Sequence, residues 1–178
     1  MTTFVRVFLA LSCATFMLTS CESGDRSGAA SSSSDALNGI FEQYLAVKDA
    51  LVNLNAQDVS SEARELAEQL NDVDTGELTG DKQGQWAQYS DKLKAASLQL
   101  AQSSELEQQK QDFVNLTAVM EEGIRNFGLK GKTVYKQHCP MAFEDKGASW
   151  LSDEEKIRNP YEAETMIGCG SVQEKLEY

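Results

Sequence analysis

Cys139, Met141, Met166 and Cys169 are the residues of this chain whose types and spacing best support chemistry. With His138 they fall in two short stretches of the last third, Tyr135-Lys136-Gln137-His138-Cys139-Pro140-Met141 and Met166-Ile167-Gly168-Cys169-Gly170. His138 is the chain's single histidine, and the two cysteines are half of its four. Two thiols and two thioethers make a soft donor set, which selects Cu(I) or a similar soft ion over hard cations, whereas cysteine with histidine suits Zn(II). On a strand, i and i+2 side chains share a face, so Cys139 and Met141 would point together and His138 away, unless Pro140 turns the chain. Met166 and Cys169 are three apart, so one helical or tight turn would aim both sulfurs the same way. The same cysteines allow a disulfide, which an oxidising exported compartment favours and which would staple the glycine-rich tail to itself. Unpaired structural thiols are a third possibility, and spacing alone leaves all three open. His138 reads as a hydrogen-bonded structural or surface residue rather than a ligand.

Other chemistries find little support. A thiol oxidoreductase would be expected to carry Cys-x-x-Cys, and there is no phosphate-cradling glycine loop and no hydrolase serine motif, so the expectation is a protein that is not an enzyme. The formal net charge of -12 disfavours nucleic acid, whose phosphates need clustered Lys and Arg, and disfavours adsorption to an anionic bilayer through a basic face.

The elements that must position these residues follow a leader and a tether. Residues 1–20 hold Arg6 and an apolar run from Val7 to Leu18, too short to span a bilayer, which reads as an export signal. Leu18-Thr19-Ser20-Cys21 resembles the bacterial lipobox, so Cys21 is the expected lipidation site, with acyl chains adding about 0.8 kcal/mol per buried methylene. The expected location is the periplasmic side of a membrane, the outer membrane in first place. Residues 21–35, rich in serine and glycine, cannot bury enough apolar surface to offset their ordering entropy and read as a flexible tether.

The folded part is expected over 36–178. Leu37, Ile40, Phe41, Tyr44, Leu45, Leu51 and Val52 form one amphipathic stripe with Asp35 placed to cap it. Val59, Ala63, Leu66, Ala67, Leu70 and Val73 form a second, with Asp58 as its cap. Trp86, Tyr89, Leu93, Ala96 and Leu100 form a third. A fourth opens on a Ser104-x-x-Glu107 capping box, runs through Leu106, Phe113, Leu116, Met120, Ile124 and Phe127, and stops at Gly128. Four such helices joined by short loops predict an antiparallel up-down four-helix bundle over 36–128, and with one histidine a di-iron centre is excluded. Beyond it, 129–178 is expected to form a small irregular or β extension, with a strand over Lys132–Lys136 that Pro140 ends.

Cys139-Pro140-Met141, Trp150-Leu151-Ser152, Asn159-Pro160-Tyr161 and Met166-Ile167-Gly168-Cys169-Gly170 stand in an order and spacing similar to the C-terminal signature of the exported bacterial proteins of the domain of unknown function 3347 (DUF3347) family. The resemblance extends over roughly residues 36 to 176, the helices matching by pattern. It implies a four-helix region followed by the Cys-Pro-Met tail, and, because similar domains accompany periplasmic adaptors of heavy-metal efflux pumps, a copper or silver role with such an adaptor as partner. Tyr135 to Met141 is also similar to the Tyr-x-Cys-Pro-Met motif of short heavy-metal-binding modules. The expectation drawn from residues and resemblance together is a lipid-anchored envelope protein binding a soft ion, Cu(I) or like it, through Cys139, Met141, Met166 and Cys169. The alternative is a non-catalytic structural or interaction lipoprotein with a Cys139–Cys169 disulfide.

Overall fold

Apolar residues recurring every three or four positions bury one side of a helix, and the chain has four such runs. In the computed structural model, which describes residues 33–75 and 78–178 with side chains from Ala36 onward, they form α1 (Ser33–Val52), α2 (Ala56–Gln69), α3 (Asp81–Gln102) and α4 (Leu106–Phe127). The leader over 1–20, the lipobox with Cys21 and most of the tether lie outside the described residues. Leu37, Ile40, Phe41, Tyr44, Val59, Leu66, Trp86, Tyr89, Leu93, Phe113, Leu116 and Met120 are all buried in one continuous core. Each helix packs on the next in sequence and α4 closes on α1, the arrangement that buries four stripes with short connections. No helix among the described residues is long and apolar enough to cross a membrane.

The helix ends depart from expectation in three places. α1 begins at Ser33, so Asp35 lies inside the helix and the tether gives way to structure three residues early. α2 is capped by Asn55, whose side chain accepts from the Asp58 N–H at 3.2 Å while its amide donates to the Asp58 carboxylate at 2.7 Å. Asp58 is therefore the residue being capped, one turn inside the helix. α4 starts after Glu105 without a side-chain cap, because Ser103 takes the Glu105 N–H at 3.1 Å and the Ser104–Glu107 box does not close. At the other end Gly128 sits at φ 73 and donates to the Ile124 carbonyl, as a helix stop requires.

After Gly131 the chain becomes extended. β1 (Thr133–Cys139), β2 (Ala148–Ser152) and β3 (Ser171–Glu177) form one antiparallel sheet in the order β2-β1-β3. Tyr135 opposes Ser152 and Cys139 opposes Ala148 on one side of β1, while Thr133 opposes Glu177 and His138 opposes Ser171 on the other, with a bulge at Lys136/Gln137. One strand was expected over 132–136. Pairing on both sides lengthens it to Cys139 and recruits two partners, neither of which alternates cleanly in sequence: Glu174 interrupts Val172 and Leu176 in β3, and Ala148–Ser152 shows little periodicity.

Sheet and bundle share one core. Val134, Trp150 and Leu151 are fully buried, and β2 lies against α4. The Tyr44 hydroxyl of α1 accepts from the Leu151 N–H at 3.1 Å and bonds the Thr117 hydroxyl of α4 at 2.8 Å, tying three elements at one atom. Burial pushes the Tyr44 hydroxyl well above its ordinary pKa, so it stays a neutral hydrogen-bonding group.

Candidate functional site

β1 ends at Cys139, and the chain passes through β2 on a long excursion before β3 begins at Ser171. The excursion is closed by a disulfide between Cys139 and Cys169, with Cα atoms 5.6 Å apart, inside the range that such bridges require. Of the four sulfur residues, these two are brought together. Cys139 is fully buried, whereas Met141 is 43 % exposed. Pro140 has turned the chain, so Met141 no longer shares the Cys139 face as continuing strand geometry would require. Met166 does share a tight turn with Cys169, whose N–H donates to the Met166 carbonyl at 2.8 Å, and its side chain is half-buried.

A disulfide supplies no thiolate, so in this form the pair lacks the charged soft donors on which a soft ion depends. Ligation by Cys139 and Cys169 belongs to the reduced pair. Among the described residues no group of three or more His, Cys, Asp or Glu side chains is placed to hold a metal ion. His138 lies on the opposite face of β1 from Cys139, its Nδ1 2.9 Å from the Ser149 hydroxyl and its ring packed against Gly147.

The bridge is one of several anchors. Asn159, fully buried, donates from its side-chain amide to the Cys169 carbonyl at 3.1 Å, and its side-chain oxygen accepts from the N–H groups of Tyr161 and Glu162. Its own N–H donates to the Ile167 carbonyl at 2.8 Å. Tyr161 is buried, donates to the Ser149 carbonyl at 2.8 Å, and has its hydroxyl pKa raised by burial. Its ring continues an aromatic series from the bundle: Tyr44 stacks on Phe113 at 5.1 Å, Phe113 meets Tyr161 at 6.0 Å, and Tyr161 meets Phe143 at 5.3 Å and Trp150 at 6.1 Å. Arg158 pairs with Asp49 of α1 at 3.4 Å. Trp150, Arg158, Asn159 and Tyr161 are thus packing and hydrogen-bonding pieces that pin the tail to the bundle. Gly170 is required at φ 135, because a Cβ there would come within 2.9 Å of the His138 carbonyl and of the Trp150 ring.

Two features escaped sequence reasoning. Gln137 is fully buried and its amide reaches the Glu154 and Glu155 carbonyls at 2.8 and 3.2 Å, so a polar residue at an inward strand position secures the following loop. The segment Ala142–Asp145 closes as a helical turn, yet Phe143, Glu144 and Asp145 all have positive φ, between 53 and 65. L-residues pay roughly 1–2 kcal/mol each for that conformation, and no glycine or asparagine in the turn signals it.

The bundle with its sheet cap can be set beside known proteins. A family model described as "Protein of unknown function (DUF3347)" matches residues 40–132, just over half of the chain. The chain belongs to this family. The DUF3347 match runs from Ile40 within α1 through α4 and ends at Lys132, immediately before β1, so membership rests on the bundle and not on the Cys-Pro-Met tail whose motifs first suggested it. No curated protein and no solved structure matches the chain.

Proposed function

We propose that this DUF3347 protein is a non-catalytic, lipid-anchored protein of the cell envelope, held to a membrane through Cys21 and working as a structural or interaction module. The observation that supports this best is the Cys139–Cys169 bridge. It commits both cysteines of the folded part to a covalent staple of the kind that persists in exported compartments. The polar residues around it, Asn159 and Arg158, are already satisfied within the fold, which suits a rigid scaffold better than a reacting centre.

A second reading keeps the soft ion. Thiol–disulfide exchange with an external dithiol, which supplies two electrons and two protons and becomes a disulfide itself, yields two thiols held close in space, with Met166 in the same tight turn as Cys169. That is the start of a Cu(I)-type donor set, completed by Met141, for an accessory to metal handling or efflux with an efflux adaptor as partner.

One set of measurements separates the two. Free thiols are titrated under envelope-like redox conditions, and Cu(I) and Zn(II) binding is measured for the parent chain and for Met141→Leu/Met166→Leu. A persistent bridge with no metal uptake supports the interaction module. Tight Cu(I) binding that the double variant loses replaces it with the soft-ion reading. Cys21→Ser should move the protein from the membrane to the soluble fraction, and retention at the membrane would remove the anchor.

A further inference from the structure

Ile167 and Met141, at 47 % and 43 % exposed, are the most solvent-open of the large apolar side chains described, and each stands two residues from one cysteine of the Cys139–Cys169 bridge. Topology puts them at one end of the sheet. β1 leaves it at Cys139, and β3 enters it at Ser171 opposite His138, so 140–141 and 166–170 emerge side by side. Both are carried on restrained backbone, Met141 directly after Pro140 and Ile167 through the Asn159 N–H bonded to its carbonyl. Backbone held in this way has little conformational entropy left to lose when its side chains are covered, so the ordering cost is confined to the side chains.

The neighbouring charges are also held in place. After Met141 the positive-φ run Phe143–Glu144–Asp145 is maintained by bonds from the Asp145 N–H to the Met141 carbonyl and from the Gly147 N–H to the Ala142 carbonyl. Glu144 and Asp145 are thereby exposed beside Met141, and Glu164 is exposed three residues before Ile167. Strained backbone persists where its surroundings over-determine it, and it concentrates at binding sites. Lys146 is the one base in the turn. On a chain of net charge -12 the rim is acidic, which repels an anionic lipid surface and attracts basic protein groups.

We propose that Met141 and Ile167, rimmed by Glu144, Asp145 and Glu164, form a docking surface for a protein partner that offers an amphipathic helix with an apolar face flanked by basic residues. This rests on the interaction-module reading and adds the chemistry of the partner.

The test uses the full chain with its bridge verified by thiol titration. The probes are a fluorescent helix-forming peptide of leucine and lysine, the same peptide with glutamate for lysine, and vesicles of phosphatidylglycerol. The lysine peptide should bind, and Met141→Ser/Ile167→Ser should weaken it at least about tenfold, as expected for loss of the central anchors of an interface. Glu144→Gln/Glu164→Gln should weaken it less and flatten its salt dependence, and Leu98→Ser, at a comparably exposed leucine on α3, should leave it unchanged. Equal binding by the Met141/Ile167 variant, an equal loss in Leu98→Ser, equal binding of the glutamate peptide, or vesicle binding that depends on Met141 and Ile167 would each overturn the proposal. An intact bridge with no peptide binding overturns the docking surface alone. Free thiols that take up Cu(I) overturn the underlying reading and the docking surface with it.

Discussion

Single side chains decide how the tail is joined to the bundle. Tyr44 connects α1, α4 and β2 through one hydroxyl, so Tyr44→Phe leaves the buried Leu151 N–H and the Thr117 hydroxyl without their partner. The expected loss is about 1–3 kcal/mol, read as a lower denaturant midpoint at unchanged slope. Glu121 of α4 is the acidic counterpart. Burial alone would raise its carboxyl, but Lys136 at 2.9 Å and Arg125 at 2.8 Å outweigh that and hold it below the ordinary 4.5. A carboxyl that titrates lower in the folded than in the unfolded chain contributes stability above its unfolded value. That contribution is lost as pH falls through the depressed native value. Glu121→Gln should therefore cost about 1 kcal/mol at neutral pH, and the parent and variant should converge as the pH drops below the ordinary carboxylate range. A pH-independent difference in midpoints would show that Glu121 acts through packing instead.

The element that most depends on covalent chemistry is the excursion between β1 and β3. The bridged cysteines are 30 residues apart, and closing a loop of that length in the unfolded chain corresponds to about 3–4 kcal/mol in the chain-entropy description. Cys139→Ser/Cys169→Ser should lower stability by that order while native-like near-ultraviolet dichroism from Trp150 and Tyr161 survives, since Asn159 and the aromatic series still hold the loop. Loss of the tertiary signal at native conditions would mean that the bridge positions the loop as well as restricting the unfolded state. Helical elements were legible because each stripe repeats a period over several turns. Their N-terminal caps were not: Asp58 and the Ser104–Glu107 box carry acceptable cap chemistry, but Asn55 and Ser103 sit one turn and one residue earlier and take the free N–H groups first. The turn at Phe143–Asp145 was illegible for a different reason, because a left-handed run of ordinary residues is imposed by the contacts at its two ends.

At the scale of the molecule, bundle and tail are one packing unit, with Trp86 of α3 in one part and Trp150 of β2 in the other, both in the same buried cluster. The two tryptophans allow a direct check: in Trp86→Phe and Trp150→Phe, the remaining fluorophore should report an unfolding midpoint that coincides with the loss of helical dichroism in the same variant. A separate, earlier transition at Trp150 would make the tail an independent unit. What the sequence determined by itself was the helical bundle, from periodicity that any core would reward, and the set of sulfur residues, from identity alone. Which sulfurs meet was a matter of tertiary structure. Strand pairing puts Cys139 next to the start of β3, Asn159 holds Cys169 there, and Pro140 turns Met141 out to solvent; these depend on contacts between residues far apart in the chain, which spacing does not encode.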